Sequence, residues 1–454
     1  MQGSNTSVFD SMLYSPLFTQ AEMKQVWSDE NLIRTWLTFE VAIANVQAEL
    51  GIIPHSAVAA IEQVCQVENI DWPRLAQDTQ IVGMAIKPLV EQLADRGDDA
   101  VKKYLHWGCT TQDLLDTSLA MRVKQTLDIV RGQLISLGDQ LAQMALDHKH
   151  TVMVARTNAM DALPTTWGLH VSGYLQEITR HVARLDALYS RVTVGMYGGA
   201  VGNLSSIGEQ GLVVRERLFH RLALQEPKGF NNASLDHIAE LIQFFALIHG
   251  TLCRIANDTE TMGRASLGEV REGEAGGGSS TMPHKANPRA ANMIQTLSRM
   301  GWMYASGAPN LMDQHDVRSA SMRVLNWSLV PEASLAVATS LERAERLIAN
   351  LIVDAPKMRA NFSASRVFIM SEAVMMKAAE KVGRGEGYAK VKAALANAPA
   401  SGDLVAVLKQ DQGVAAILSA QEIEDACEPK HYLGCNDALI DEAIALYREE
   451  VTHG

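Results

Sequence analysis

Residues 276–288 read Gly-Gly-Gly-Ser-Ser-Thr-Met-Pro-His-Lys-Ala-Asn-Pro, a string that no structural element requires. Three glycines open backbone conformations closed to other residues and let a loop swing over a substrate. Ser279 and Ser280 supply hydroxyls, Lys285 a cation and Asn287 an amide, with Met282 between them. Asn287-Pro288 reads as a helix N-cap and first helical residue, an end that welcomes an anion. Serine is a poor base at its ordinary pKa. It becomes a useful one only when a cation and oriented amides stabilise its alkoxide. Lys285 is the candidate cation, so the string points to proton abstraction next to an anionic group. The plain alternative is a flexible surface linker.

Two further polar clusters accompany it. Tyr104-Leu-His-Trp-Gly-Cys-Thr-Thr-Gln-Asp-Leu-Leu-Asp-Thr117 offers His106, which can move protons near neutrality. Thr110, Thr111 and Gln112 bring short donors suited to gripping a carboxylate. Asp113, Asp116 and Thr117 read equally as capping groups for the helix that follows. Ala155-Arg-Thr-Asn-Ala-Met-Asp-Ala-Leu-Pro-Thr-Thr-Trp-Gly168 opens the second long helix. Arg156 there suits a bidentate carboxylate or a structural ion pair. Thr157 and Asn158 can donate to a substrate oxygen. A weaker group holds Arg318 and Arg323, whose charges can meet a second carboxylate or lie on an ion-paired helix face.

Long helices must position these clusters. Proline is missing between Pro88 and Pro164, Pro164 and Pro227, and Pro227 and Pro283, and helix interiors exclude proline. Segment 116–147 spaces Leu119, Val123, Leu127, Val130, Leu134, Leu137, Leu141 and Met144 by threes and fours. Segments 167–193 and 235–263 repeat the pattern, and 289–306 and 331–352 add two more. Strand-like alternation is almost absent. The expected fold is all-α, a long-helix bundle whose apolar faces are wide enough to associate between subunits, with a monomeric bundle as the alternative. Three helical domains follow: 1–110, a central 111–355 carrying the glycine loop, and 356–454.

Bulk properties bound the function. The chain has 454 residues, 47% hydrophobic and 20% charged, in line with a globular protein of several domains. A net charge of −12 argues against a nucleic-acid partner, so none is expected, and it demands a locally positive pocket for any anionic substrate. No apolar run approaches a membrane span, no signal peptide is legible at the N-terminus, and the odd count of five scattered cysteines suits reduced thiols, so the expected location is cytoplasmic with no membrane partner. No metal-ligand spacing, P-loop or dinucleotide fingerprint is present, so no cofactor is expected.

His-Trp-Gly-Cys-Thr-Thr-Gln-Asp, Arg-Thr-Asn-Ala-Met-Asp-Ala-Leu-Pro-Thr-Thr and Gly-Gly-Ser-Ser-Thr-Met-Pro-His-Lys-Ala-Asn-Pro, in that order, resemble the three signature regions of the fumarase/aspartase superfamily. Ser371-Glu-Ala-Val-Met-Met376 is similar to the C-terminal domain of adenylosuccinate lyases and 3-carboxy-cis,cis-muconate cycloisomerases. Gly83-Met-Ala-Ile-Lys-Pro-Leu-Val90 looks more like the cycloisomerase branch. The resemblance implies a homotetramer with a twenty-helix core and active sites shared by three subunits. It implies Ser279 as general base, Lys285 and Asn287 beside it on one substrate carboxylate, and Thr110, Thr111 and Gln112 on others. The implied reaction is anti β-elimination from a small di- or tricarboxylate such as a substituted succinate, releasing fumarate or a relative. The alternatives are closure or opening of a carboxymuconolactone ring and, more remotely, a non-catalytic structural relic.

The chain departs from that pattern in three places. Asn158 stands where lyases of the family carry histidine and cycloisomerases tryptophan. Asparagine can hydrogen-bond a leaving group but cannot protonate it. Either His106 supplies the proton or the leaving group needs none. Asn231-Asn-Ala-Ser-Leu-Asp-His237 lacks the arginines typical of adenylosuccinate lyases, which argues against that substrate. Gln314-His-Asp-Val317 replaces a usual His-Glu-Arg, so the partner of a phosphate or second carboxylate is either missing or moved to Arg318.

Overall fold

The structure is a computed structural model that describes residues 7–230, 232, 234–273, 278, 281–396 and 403–453, except the side chains of 364–368 and 453. About 71% of the chain is helical, so the all-α expectation holds. Six helices of 19 residues or more stand out among the described residues: α1 (Asp29–Glu49), α2 (Thr111–Asp147), α3 (Trp167–Val192), α4 (Asp236–Met262), α5 (Arg289–Gly307) and α6 (Ala320–Ala349).

The apolar spacing seen in the sequence is what these helices bury. Seven of the eight positions expected on α2, Leu119 through Leu141, are at most 7% exposed. On α4, Ile238, Leu241, Ile242, Phe245, Ile248 and Leu252 are at most 1% exposed. By length and composition α4 would also suffice to cross a membrane, with mean hydropathy 1.4 over 18 residues, which corrects the expectation that no apolar run approaches a span. Two thirds of that window (67%) is buried within the protein, as in a core helix.

The chain divides into two compact units. The first comprises Met1–Gln133, Ala183–Gly250 and Thr296–Glu342. Its helix α1 is capped by Ser28, whose side chain accepts from the Asn31 N–H at 3.2 Å, with Asp29 and Glu30 favourable in the first turn. The apolar face of α1 packs against helices His55–Val64 and Gly211–Leu222, where Phe39, Ile43, Leu89, Leu93, Leu218 and Phe219 form a dry core. Helix α6 begins eleven residues before the segment read from sequence and carries Pro331 in its interior. The proline ring has no N–H, so the Trp327 carbonyl loses its helical donor, yet flanking turns continue the helix through it.

The second unit comprises Leu134–Val182, Thr251–Gln295 and Arg343–Gly454. It holds the strands that the sequence reading did not anticipate. β1 (Val152–Thr157) and β2 (Met160–Thr166) form an antiparallel hairpin, with a register shift between Val154 and Arg156. β3 (Val270–Glu272) pairs with β4 (Leu351–Val353). The hairpin packs against helix Ala355–Ile369, and Phe362, Met370, Val374, Leu404, Leu408 and Ile423 form a second core. Residues 152–166 therefore precede α3 as a hairpin rather than as the opening of that helix. Short strands of three to seven residues, most of them only partly buried, leave too little alternation to register against long helical stripes.

Candidate active site

In the first unit, the expected carboxylate grip lies at the start of α2. The Asp113 side chain reaches back to accept from the Thr110 N–H at 2.9 Å, half of a capping box. The same carboxylate accepts from the Gly198 N–H at 2.9 Å and the Gly199 N–H at 3.2 Å. Burial pushes its pKa up to about 6, although these amides and the His106 charge oppose the rise. Asp113 is thus a cap and a brace, as is Thr117, whose hydroxyl donates to the Met196 carbonyl at 2.7 Å. Among the described residues the hydroxyls of Thr110 and Thr111, both half-buried, have no protein partner, and they remain available to a ligand.

Gln112 is buried and its amide donates to Asp116. Asp116 is in turn paired with Arg323 Nη1 at 2.6 and 2.7 Å, and Arg323 also donates to the Asn232 carbonyl. Arg323 therefore serves an internal ion pair, one of the two readings its sequence allowed. Arg318 differs: it is half-buried, and its Nη1 is buried without a hydrogen-bond partner among the described residues.

His106 sits just before this grip with φ +62°, in the left-handed region. Gly108 is also left-handed at φ +72°, and a Cβ there would meet Ile207 Cδ1 at 2.5 Å. The tight His-Trp-Gly turn aims both the backbone N–H and Nδ1 of His106 at Glu40, at 3.1 and 2.5 Å. Glu40 is 1% exposed, in the middle of α1. Burial, the largest influence, works against the imidazolium, but the Glu40 charge and hydrogen bond prevail and the His106 pKa stands above its ordinary value. A charged His106 with one nitrogen fixed by a carboxylate can present the other as a proton donor. Sequence reasoning missed Glu40, for which the only signal was a lone acid within the apolar run Phe39-Glu40-Val41.

In the second unit, Arg156 is fully engaged. Nη1 and Nη2 each donate to the Glu269 carboxylate at 2.7 Å, and Nε donates to Asp161 at 3.1 Å. Glu269 is fully buried and also accepts from Asn361 at 2.8 Å. The ion-pair reading of Arg156 is the one these contacts describe. Thr157 and Met160 pair across the hairpin, and Asn158 and Ala159 form its two-residue turn with φ of +51° and +63°. Two positive φ values define a type I′ turn, where asparagine is favoured. Asn158 thus has a backbone reason to be asparagine besides any chemical one.

Helix α5 starts at Arg289, and Pro288 stands one place before it, its carbonyl accepting from the Asn292 N–H at 3.0 Å. The expected N-cap and first helical residue, Asn287-Pro288, are thus both shifted by one. The anion expected at this helix end is supplied by the protein itself: Glu272 accepts from the Ala290 and Ala291 N–H groups at 3.1 and 2.9 Å. Sequence reasoning missed Glu272 and Glu269: both lie just upstream of the glycine string, but nothing in their spacing announces the helix end or the arginine that each meets. Met282 and Lys285 are exposed, and the Lys285 N–H donates to the Met282 carbonyl at 3.1 Å. Asn287 is half-buried beside them. Ser279 and Ser280 lie outside the described residues, as do Asn231 and Ala233 of the 231–237 departure. Among the described residues no cluster of histidine, cysteine and acidic side chains could hold a metal ion.

Residues 14–300 match the family model described as Lyase, and residues 368–443 match that of the adenylosuccinate lyase C-terminus. The chain belongs to the fumarase/aspartase superfamily and is an enzyme of its lyase and cycloisomerase group. It is 33% identical to trans-aconitate decarboxylase 1 of Mycosarcoma maydis over 434 residues, 95% of this chain and 88% of that protein. It is likewise 33% identical to 3-carboxy-cis,cis-muconate cycloisomerase of Pseudomonas aeruginosa over 442 residues, 96% of each chain. The crystal structure of 3-carboxy-cis,cis-muconate lactonizing enzyme from Pseudomonas putida matches with a TM-score of 0.91 at 31% identity, over 97% of this chain and 100% of that one.

Proposed function

We propose that this enzyme catalyses anti β-elimination on a substituted succinate, releasing fumarate or a related unsaturated acid. Ser279 takes the proton from the carbon beside one carboxylate, and the leaving group departs from the neighbouring carbon. Removing that proton doubles the charge on the adjacent carboxylate, so stabilising the dianion is the main energetic task. Lys285 and Asn287 meet that group, with Ser280 and Met282 as further substrate contacts. Thr110, Thr111 and Gln112 hold the second carboxylate, and Arg318 offers a further positive charge. His106, its pKa raised and its ring braced by Glu40, is the proton donor to the leaving group. Thr157 and Asn158 contact the leaving-group oxygen or nitrogen from the hairpin turn, which Arg156 stiffens. The observation that carries this reading is the intact Gly-Gly-Ser-Ser-Thr-Met-Pro-His-Lys-Ala-Asn string in a chain of this family.

The reading includes a homotetramer with a twenty-helix core, in which 1–110, 111–355 and 356–454 act as three domains and each active site draws on three subunits. Exposed apolar side chains on the long helices, among them Leu247, Trp302 and Met303, support association. Light scattering that gives a monomer at micromolar concentration would reject it.

A second reading has independent support. Relatives named as cycloisomerases and as a decarboxylase act on unsaturated polycarboxylates, and a carboxylate leaving group or lactone oxygen needs no histidine at 158. A fumarate-release assay over N-substituted aspartates separates the two, since fumarate from any of them favours elimination and lactone from 3-carboxymuconate alone favours cyclisation. Ser279→Ala decides the base: turnover should fall at least a thousandfold with assembly intact, and near-normal turnover overturns the assignment.

A further inference from the structure

Three long helices of the first unit, with the stretch 79–85, line a cavity of about 310 Å³. α2 contributes Leu115, Leu119 and Arg122 at steps of three and four, and α6 contributes Arg323, Asn326 and Trp327. Trp36 of α1 and Trp27 just before it complete an indole-rich wall. Such a volume lies at the small end for ligand sites, and apolar walls with few polar groups are their usual make-up.

The polar groups of this wall are unusual. Trp36 Nε1, Arg323 Nε and Asn326 Oδ1 are buried and have no hydrogen-bond partner among the described residues. Trp36, Arg323 and Asn326 are only 3%, 6% and 7% exposed. These three atoms have no exposed surface, so they back the wall without facing the void, and the character of an occupant is set by the groups that do reach it. The sign of its charge follows from the arginines. Arg323 is neutralised by Asp116. The Arg122 guanidinium lies over the Trp27 ring at 4.7 Å and donates from Nε to the Ser118 carbonyl at 3.4 Å, with no carboxylate in ion-pair range among the described residues. Burial lowers its pKa to about 10, opposed only by Asp29, which is exposed. Arg122 is therefore charged, partly desolvated and unneutralised.

Gln112 belongs both to this cavity and to the carboxylate grip at the start of α2. Ten residues separate it from Arg122, roughly 15 Å along the helix axis, and the longer arginine side chain leans further toward the N-terminus than glutamine does, which shortens the span somewhat. A ligand gripped at Thr110–Gln112 can thus extend along α2 across one ring to Arg122.

We propose that the cavity binds the leaving-group end of the substrate, and that this end is an aromatic or branched apolar group terminating in a carboxylate, stacked on Trp27 and Trp36 and held by Arg122 and Asn326. This rests on the elimination reading above. N-(4-carboxybenzyl)aspartate is a substrate of the expected shape: the C–N bond of its aspartyl carbon breaks, the neighbouring carbon loses a proton to Ser279, nitrogen gains one, and fumarate and 4-(aminomethyl)benzoate result.

The test is calorimetric binding to the full chain of succinate, 2-benzylsuccinate and 2-(4-carboxybenzyl)succinate, none of which can eliminate. The carboxybenzyl compound should bind about tenfold tighter than the benzyl one. Arg122→Gln should erase that margin and leave succinate affinity unchanged. Equal affinity for the two aryl compounds, or a margin that survives Arg122→Gln, overturns the proposal. 4-Methylbenzoate carries the ring and carboxylate without the succinate, so it probes the cavity even if the elimination reading fails. Binding that Trp36→Phe and Arg122→Gln weaken supports the site, and undetectable binding at millimolar concentration overturns it. Should Arg122→Gln not fold, a crystal of the unaltered protein with 2-(4-carboxybenzyl)succinate decides instead: a ring against Trp27 and Trp36 supports the site, and a ring elsewhere overturns it.

Discussion

Glu40 accepts two hydrogen bonds from His106, from the backbone N–H at 3.1 Å and from the ring Nδ1 at 2.5 Å. One buried carboxylate in α1 thereby fixes both the left-handed turn and the ring that follows it. The pairing also holds the imidazole pKa above its ordinary value against the cost of burial. A raised folded-state pKa adds stability below the unfolded value of about 6.5 and loses it as pH rises through the folded value. Glu40→Gln should lower the His106 pKa, read by the ring proton shifts in an NMR titration. The stability deficit of this variant should be largest below pH 6.5 and shrink above it. An unmoved His106 titration would show that Glu40 does not set its charge.

Arg323 and Asp116 form a buried pair with 7% and 16% of their side chains exposed. Removing one member leaves the other charge uncompensated. Arg323→Met should cost about 3–5 kcal/mol in denaturant unfolding, and adding Asp116→Asn should recover part of that loss. Additive losses in the double variant would mean that the pair is not energetically coupled.

His249 is fully buried in α4, and neither ring nitrogen has a hydrogen-bond partner among the described residues. Burial pushes its pKa down to about 3. Between pH 6.5 and 3 the unfolded chain binds a proton that the native one refuses, so stability falls with acid by up to about 1.4 kcal/mol per pH unit. His249→Leu should flatten this acid limb in melts between pH 4 and 7. Gly301 faces the same ring: a Cβ there would stand 2.1 Å from His249 Cδ2. Gly301→Ala should therefore lower stability by roughly 1–3 kcal/mol through overpacking.

Ala159 holds φ +63° in the hairpin turn, a conformation that costs an alanine about 1 kcal/mol and a glycine almost nothing. Ala159→Gly should raise the melting temperature. A lowered one would mean that the turn is not the two-residue type I′ connection.

Glu272 caps α5 through the Ala290 and Ala291 amides. Glu272→Ala should cost about 1 kcal/mol. It should also speed amide exchange at residues 290 and 291 more than in the middle of α5, and uniform exchange along the helix would contradict the cap.

Much of the architecture was legible in the residues. Long proline-free segments with leucine and isoleucine at steps of three and four place α2, α3 and α4 to within a few residues, because burial of one helical face demands that spacing. Helix α6 is legible only from Pro331 onward, because proline is ordinarily confined to a helix's first turn and here lies in its interior. The hairpin escaped because its turn is Asn158-Ala159 rather than Asn-Gly, and its strands are too short to declare themselves. At the site, the motif residues announced themselves, but their partners did not. Glu40 lies 66 residues from His106, and Glu269 lies 113 from Arg156. Spacing along a chain says nothing about such pairs.

The sequence by itself determined the helical bundle, the family and the polar clusters that carry chemistry, because helical periodicity and short motifs are local properties. Only the tertiary structure decided which charges are spent inside the protein and which remain for a ligand. Among the described residues Arg156 and Arg323 are neutralised by buried acids, whereas Arg122 and Arg318 are not, and that difference depends on carboxylates delivered by distant segments of the chain.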